Sequence, residues 1–240
     1  MTELLYHGDS YLREFDAVVE GVGEAGVVLD RTAFYPGGGG QPHDVGVLRR
    51  KRDGAEVAVR RMLVKGGVPF HGGEEGGLAP GDGVTGVIDW ERRYQLMRTH
   101  TALHILCGAV WRDYGARVTG GDMKPLRARM DFELESMTAD FAAEIERRAN
   151  AEVSADRPVK STVLAREEAF QIPDLIRTKI NLLPEHITEV RVVDISGLDM
   201  QADGGTHVAR TGEVGRIAVV GHESKGKINK RLRIELAGGL

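Results

Sequence analysis

The first 90 residues carry short apolar runs that are separated by glycine and aspartate. The runs recur about every 10–15 residues, which is typical of short strands joined by tight turns. The strands predicted in this way cover residues 15–19, 25–29, 45–48, 55–59 and 84–88. We expect residues 66–83, which are rich in glycine and contain Pro69 and Pro80, to form a loop. This part of the chain therefore predicts a small β-barrel or sandwich without a helix of useful length.

After residue 90 the apolar positions recur at spacings of three and four, as on one face of a helix. Leu96, His100, Leu103 and Cys107 form one such stripe, which predicts a helix over residues 89–114 that Gly115 ends. A second helix is predicted over residues 138–153, with Thr138 as its N-cap.

The pattern in the rest of the second half predicts mainly strands. They are predicted over residues 128–134, 159–165, 188–195, 214–223 and 231–236, with a short helical piece over residues 166–170. Helices and strands that do not alternate regularly predict an α+β fold. The change of pattern places a domain boundary near residue 90, so that we expect one domain over residues 1–90 and another over residues 91–240.

Composition limits the class of protein. Of the 240 residues, 41% are hydrophobic and 28% are charged, which argues against extended disorder. Cys107 is the only cysteine, so an intramolecular disulfide framework and a cysteine-rich zinc finger are excluded. The first residues show no basic segment followed by an apolar run, and no stretch approaches the roughly 18 apolar residues of a membrane span. We therefore expect a cytoplasmic protein with no membrane partner.

The net charge of −4 hides a basic segment near the C-terminus. Residues 216–233 contain six cations and one carboxylate, Glu223. Such an excess can contact phosphates, although a solvated face is the alternative interpretation of the charges alone. Lys225 and Lys227 flank Gly226, and this arrangement suits a loop that presents both ammonium groups.

Two histidines four residues apart give the clearest chemical signal. On the predicted helix, His100 and His104 share one face, with their Cβ atoms about 5–6 Å apart, so both imidazoles can bind one divalent ion. The pair is not the HExxH motif of metalloproteases, because Thr101 follows His100 and the glutamate base is missing. Two unrelated helical histidines are the alternative.

A second pair of possible ligands lies about a hundred residues later. Asp203 and His207 are again four residues apart, with Gly204 and Gly205 between them. Two glycines allow a tight turn that lets both side chains converge. Carboxylate oxygen and imidazole nitrogen are both zinc ligands, so the two pairs together predict a four-ligand site. The alternative is an ordinary turn between two strands.

A glycine run is the third feature. Gly37, Gly38, Gly39 and Gly40 are followed by Gln41. Such a run brings backbone close to a ligand, but it fits neither GxGxxG nor the Walker pattern, so a nucleotide P-loop is not indicated. A flexible surface loop is the alternative.

These pieces, in this order, resemble the editing domain of alanyl-tRNA synthetase and its free-standing relatives, the AlaX-type editing proteins. The resemblance rests on residues 33–42 (AFYPGGGGQP), 98–106 (RTHTALHIL), 199–215 (DMQADGGTHVARTGEVG) and 223–234 (ESKGKINKRLRI). It spans nearly the whole chain and implies a medium-length, free-standing form. The implied architecture is an N-terminal β-barrel followed by a two-layer α+β editing domain.

The chain departs from this family at one expected ligand. The family usually has cysteine where this chain has Asp203. Three imidazoles and one carboxylate still form a zinc-binding set, but a harder one than a set that includes a thiolate. The resemblance implies one zinc ion held by His100, His104, Asp203 and His207.

The implied reaction is ATP-independent hydrolysis of the ester that joins serine, or glycine, to mischarged tRNA-Ala. Catalytic roles are then expected for Gln201, Thr101 and Gln41. Substrate binding is expected at Gly38, Gly39, Gly40, Thr206, Arg98, Lys225 and Lys227. The partner is the acceptor end of the tRNA, and no obligate protein partner is implied.

Three alternatives share parts of this pattern. A threonyl-type editing module uses a similar ligand scheme, and a different metal hydrolase can use the same four ligands. A catalytically inactive tRNA-binding protein is the third, with Asp203 marking a lost metal. Metal content separates the last alternative from the others.

Overall fold

The computed structural model describes residues 2–73, 76–178 and 187–237. The chain divides into two compact units. The first comprises Met1–Gly38 and Pro42–Tyr94, and the second comprises Gly39–Gln41 and Gln95–Leu240. Gln41 and its two preceding glycines are therefore packed with a unit whose other residues begin more than fifty positions later in the chain.

The first unit is built from strands. They are β1 (Glu3–Leu4), β2 (Glu14–Gly23), β3 (Gly26–Leu29), β4 (Arg31–Thr32), β5 (Gly46–Arg50), β6 (Glu56–Lys65), β7 (Val68–Gly73) and β8 (Gly83–Ile88). Strand β2 pairs with β3 on one side and with β8 on the other, so that six strands close into a barrel in the order β2-β3-β7-β6-β5-β8. Alternate residues point inward, and Leu29, Phe34, Leu48 and Val84 are fully buried in its core.

The predicted loop over residues 66–83 is wrong in its first part. Strand β7 occupies Val68–Gly73 and pairs with β6, with Lys65 opposite Val68. Gly66 and Gly67 both have positive φ, at 56° and 79°, which is the conformation that a two-residue hairpin turn requires. Two of the glycines that suggested a loop, Gly66 and Gly67, instead make the tight turn between β6 and β7.

A long helix, α1, runs over Trp90–Tyr114. Asp89 accepts a hydrogen bond from the Arg92 backbone at its start, and Gly115 ends it with φ of 63°. Within the second unit, residues 96–110 of this helix are buried throughout. A helix buried all round must give every polar side chain on it a partner, and this requirement applies to His100 and His104.

The rest of the second unit combines two sheets with two further helices. The elements are β9 (Val118–Lys124), β10 (Arg127–Glu133), α2 (Ala139–Ser154), β11 (Val159–Ala165), α3 (Arg166–Ala169), β12 (Glu189–Ile195), β13 (Asp199–Ala202), β14 (Ile217–Gly226) and β15 (Asn229–Leu236). One sheet has the order β14-β15-β10-β9 and the other β11-β12-β13. Helix α2 is fixed to β14 by the Asn150 side chain, which bonds both the N–H and the carbonyl of Ile217.

The predicted α+β class is confirmed, as are the helices over residues 89–114 and 138–153. Thr138 caps α2 as expected, since its hydroxyl accepts the N–H of Phe141 at 3.1 Å. The prediction missed β9, in which only Val118 and Met123 are buried, and the four-residue β13. Among the described residues no helix combines the length and the apolar character that a membrane crossing needs.

Candidate metal centre

Two imidazoles come from helix α1. His100 and His104 lie one turn apart, and their ring centroids are separated by 5.2 Å. Both rings are buried, with 4% and 7% of each residue exposed. The spacing of four residues on a helix produces this neighbourhood, as the sequence predicts.

The other two ligand candidates follow strand β13. The ring of His207 lies 4.3 Å from that of His100 and 4.8 Å from that of His104. The Asp203 carboxylate places Oδ2 at 2.9 Å from Nε2 of His207 and Oδ1 at 3.6 Å from Nε2 of His100. One potential ligand atom from each of the four residues lies within 4.8 Å of all the others. The two pairs that are a hundred residues apart in the chain therefore meet.

Each of the three histidines is held at its Nδ1 atom by a different partner. His100 bonds Oε1 of Gln41 at 2.9 Å, and His104 bonds Oδ2 of Asp199 at 2.8 Å. His207 contacts the hydroxyl of Thr101 at 3.1 Å. Partners of this kind fix the orientation of a metal-binding imidazole and leave its Nε2 atom for the ion. The cluster thus combines four candidate ligands with the hydrogen bonds that usually orient metal-binding histidines.

The turn that carries Asp203 is tightly braced. Oδ2 of Asp203 accepts the N–H of Gly205 at 2.8 Å, and Arg191 donates to the carbonyls of both residues at 3.0 and 2.8 Å. The backbone N–H of Asp203 in turn bonds the carbonyl of Arg191. This frame keeps the carboxylate beside the three rings.

Burial sets the protonation of two of the rings. It lowers the pKa of His100 to about 4 and holds the pKa of His207 well below its usual value. Burial acts in the same direction on His104, but the hydrogen bond to Asp199 and the charges of Asp199 and Asp203 together outweigh it and raise the pKa of that imidazole. Neutral imidazole is the form that binds a metal, and His100 and His207 are held in it.

Of the three residues expected to be catalytic, Gln41 and Thr101 bond histidines of this cluster, whereas Gln201 bonds Asp199 beside it. Gln41 Nε2 donates to the Thr206 hydroxyl at 2.8 Å, while its Oε1 also accepts the Thr206 backbone N–H at 3.0 Å. Gln201 Nε2 donates to Oδ2 of Asp199 at 2.7 Å and to Sγ of Cys107 at 3.4 Å. Thr101 and Thr206 are fully buried.

Arg98 requires a correction. The sequence suggests a contact with the acceptor stem, but the structure buries this residue to 4% exposure. Its guanidinium donates to the backbone carbonyls of Val214 and Ala237 at 2.8–3.1 Å. A buried arginine that donates hydrogen bonds to backbone carbonyls stabilises the unit. Its guanidinium is not exposed to a phosphate.

The glycine run divides between the two units. Gly38 belongs to the first, where its carbonyl accepts the Tyr35 hydroxyl at 3.1 Å. In the second, a Cβ atom at Gly39 would lie 3.5 Å from Oδ1 of Asp203, and one at Gly40 would lie 3.8 Å from the carbonyl oxygen of Gly121. Gly39, Gly40 and Gly121 are exposed, so the side of the cluster at Asp203 is bordered by bare backbone.

The basic segment lies mainly on the β14–β15 hairpin. Lys225 is 3.9 Å from Glu223, whereas Lys230 is buried and donates to carbonyls of the hairpin turn. Arg231 bonds Asp131 on β10. Lys227 is exposed at the turn, and the described residues place no carboxylate within 4.0 Å of it. Most of these cations are therefore paired within the fold, and Lys227 is exposed at the tip of the hairpin.

Sequence reasoning missed Asp199, Arg177 and Arg191. Asp199 is 2% exposed and bonds His104, Arg177 and Gln201. A signal was present, because Asp199, Gln201 and Asp203 alternate along the chain and alternate residues of a strand share one face. Nothing in the local pattern marks the two arginines.

Two family models match the chain. Residues 9–92 match the model described as tRNA synthetases class II (A), and residues 190–233 match the second additional domain of threonyl and alanyl tRNA synthetases. The second match contains Asp203 and His207 together with the basic hairpin.

Several named proteins are similar to the chain over most of its length. The alanyl-tRNA editing protein AlaX-M of Methanosarcina acetivorans is 42% identical over 243 residues, covering 98% of this chain and 99% of its own. That of Saccharolobus solfataricus is 40% identical over 97% and 98% of the two chains. The alanine–tRNA ligase of Thermofilum pendens is 42% identical over 92% of this chain but only 24% of its own.

Proposed function

The chain belongs to the family of AlaX-type alanyl-tRNA editing proteins, and on that premise we propose that it hydrolyses mischarged tRNA-Ala in trans. The bond cleaved is the ester between the tRNA's 3′-terminal adenosine and a wrong amino acid, serine or glycine. We place this activity in the cytoplasm. The chemistry is assigned to the second predicted domain, residues 91–240, with Gln41 added to it.

The observation that carries this proposal is the cluster of His100, His104, Asp203 and His207. Three imidazoles and a carboxylate are a donor set that suits a divalent ion such as zinc. The fit goes beyond residue type, since all three Nδ1 atoms are bonded to outer partners and the Nε2 atoms of His100 and His207 lie beside the Asp203 carboxylate, the fourth candidate ligand. Bound there, zinc would act as a Lewis acid that orients the aminoacyl group.

The chain's own residues supply the shape of the site. Exposed glycine backbone at Gly39, Gly40 and Gly121 borders the cluster beside Asp203. A side chain at these positions would occupy the space beside Asp203. Glycine leaves that space open, so that the aminoacyl group can come close to the protein backbone. We propose that this border receives the aminoacyl end. Gly38, which precedes Gly39 in the chain, stays an expected substrate-binding residue.

We propose that Gln41, Thr101 and Thr206 act indirectly, by orienting the histidine ligands. Gln41 accepts from His100 while it bonds Thr206 twice, and Thr101 contacts His207. Their polar atoms are committed to these bonds, which favours a role in orienting imidazoles over proton transfer. Gln201 is partly exposed and is the one expected catalytic residue that does not bond a ligand directly.

Discrimination against alanine follows from the seryl hydroxyl. A site that hydrogen-bonds this hydroxyl leaves a buried polar group unpaired when alanine is bound, and such sites discriminate by up to about 10⁴–10⁵. For the tRNA itself we propose Lys227, with Lys225 beside it, as the phosphate contact. RNA acceptor ends are recognised largely through phosphates and 2′-hydroxyls, which these ammonium groups can bond.

The test is deacylation of Ser-tRNA-Ala by the wild-type protein and by His104→Ala, with zinc content measured in both. The proposal expects rapid loss of serine only with the wild-type protein, together with about one bound ion that the variant lacks. Undiminished deacylation by a correctly folded, metal-free His104→Ala protein would overturn the metal-dependent mechanism.

A further inference from the structure

We propose that Asp199 is a positioning residue that presents Nε2 of His104 to the metal and makes this imidazole the strongest donor of the set. The inference rests on the proposed metal site and concerns a residue with no ligand role of its own. Asp199 begins β13, four residues before Asp203, and only 2% of it is exposed.

Both oxygens of the Asp199 carboxylate are held. Oδ2 accepts from Nδ1 of His104 at 2.8 Å and from Nε2 of Gln201 at 2.7 Å. Oδ1 accepts from Nη1 of Arg177 at 2.5 Å. A buried carboxylate needs such compensation, and with both oxygens bonded it has one orientation.

The carboxylate decides which nitrogen of His104 carries the proton. The oxygens of Asp199 accept N–H bonds from Gln201 and Arg177, so the carboxylate is also the acceptor toward His104, and Nδ1 of His104 is the protonated nitrogen. The lone pair is then on Nε2. A wrong tautomer would direct an N–H at the ion, and the hydrogen bond to Asp199 excludes it.

The three imidazoles differ in the charge of their outer partner. Gln41 presents an amide oxygen to His100 and Thr101 presents a hydroxyl to His207, and both of these groups are neutral. Of the three, only His104 has a carboxylate at its Nδ1 atom, since Asp203 lies at the Nε2 atoms of His100 and His207 and is itself a proposed ligand. A carboxylate partner raises the basicity of a metal-binding imidazole, so His104 contributes more to metal affinity than either neutral-partnered ring.

Asp199→Asn tests this directly, because it keeps the shape and removes the charge. The matched control is Asp131→Asn, which removes another buried carboxylate of the same unit, one paired with Arg231 at 2.6 and 2.7 Å. Zinc affinity is measured by competition with a chromophoric chelator, and the cobalt-loaded proteins are compared by their visible d–d spectra.

The proposal expects Asp199→Asn to weaken zinc binding by about 10–100-fold, the range typical of outer partners, and to shift the cobalt bands. Asp131→Asn should leave both readouts at wild-type values. Equal zinc affinities and identical cobalt spectra in the two variants would overturn the role of Asp199 while leaving the metal site intact.

A second measurement needs no variant. Nitrogen NMR of the histidine-labelled, zinc-loaded wild-type protein reports which ring nitrogen of His104 carries hydrogen. The proposal requires a protonated Nδ1 and a metal-bound Nε2, and metal on Nδ1 would overturn it even if Asp199→Asn failed to fold. A wild-type protein that binds neither zinc nor cobalt would instead refute the proposed site itself, and this inference with it.

Discussion

Gly205 packs directly against His100. A Cβ atom at position 205 would lie 2.4 Å from Cε1 and 2.5 Å from Nδ1 of the imidazole, and 2.7 Å from Oε1 of Gln41. At Gly204, one residue earlier, the described part of the chain places no atom within 4 Å of a Cβ atom. Of the two adjacent glycines, only Gly205 is therefore required by the packing of the His100 ring.

Gly205→Ala should displace the His100 ring and break its bond to Gln41. We expect zinc affinity to fall by at least about tenfold, as for other losses of an outer contact, with deacylation falling in parallel. Gly204→Ala is the control and should bind zinc as the wild type does. The measurement is zinc affinity by chelator competition, and similar losses in the two variants would show that the turn as a whole, not the Gly205 contact, matters.

Asp203 is the proposed ligand at which this chain departs from the pattern expected from the family resemblance. Asp203→Ala removes a ligand and should weaken zinc binding by more than the ~10–100-fold of an outer partner. Asp203→Cys should retain zinc, because thiolate is also a good ligand, and the cobalt-loaded variant should gain a sulfur-to-metal charge-transfer band. Unchanged zinc affinity in Asp203→Ala would show that the carboxylate does not bind the ion.

Lys227 is expected to contact the tRNA backbone. Lys227→Glu should weaken tRNA binding and reduce the slope of log affinity against log salt by about one. Lys65→Glu makes the same charge change at an exposed residue beside the glycine turn of the β6–β7 hairpin. Binding measured over a range of salt should distinguish the two, and equal losses would place the tRNA contact elsewhere.

His71 in the barrel should make stability depend on pH. Its Nδ1 bonds the Val27 carbonyl and its Nε2 bonds the Thr32 hydroxyl, and burial lowers its pKa to about 4. The unfolded chain has the ordinary value of 6.5 and so binds more protons between pH 6.5 and 4. Unfolding free energy should therefore fall as pH falls through this window, by up to about 3 kcal/mol from this residue.

His71→Gln removes the titrating group. The difference in unfolding free energy between pH 7 and pH 4, from denaturant titrations, should be smaller in the variant. Other groups contribute equally to both proteins, so the comparison isolates His71. The same pH dependence in both proteins would show that His71 is not held neutral.

The closeness of the residues within each pair of ligand candidates was predictable because their spacing is a local property. Two histidines four apart on a helix must be neighbours, and the two glycines before Thr206 allow a turn that brings Asp203 and His207 together. Neither segment alone indicates that it contributes to a site shared with the other. That prediction came from the resemblance of the whole pattern to a family.

The outer partners could not be derived in the same way. Gln41 reaches His100 from 59 positions away and Asp199 reaches His104 from 95 positions away, so only tertiary packing decides these contacts. Arg98 shows the opposite failure, since a charge beside a motif suggested an RNA contact where the fold uses it to bond backbone carbonyls. Charge in a sequence does not report whether the side chain is exposed.

The central claim is a metal-dependent editing activity, and one measurement tests it most directly. Deacylation of Ser-tRNA-Ala is followed beside that of correctly charged Ala-tRNA-Ala, each with and without a chelator and with zinc restored afterwards. The account predicts fast loss of serine, slow loss of alanine, and inhibition by the chelator that zinc reverses. Equal rates for both substrates, or no hydrolysis of Ser-tRNA-Ala by the zinc-loaded protein, would contradict it.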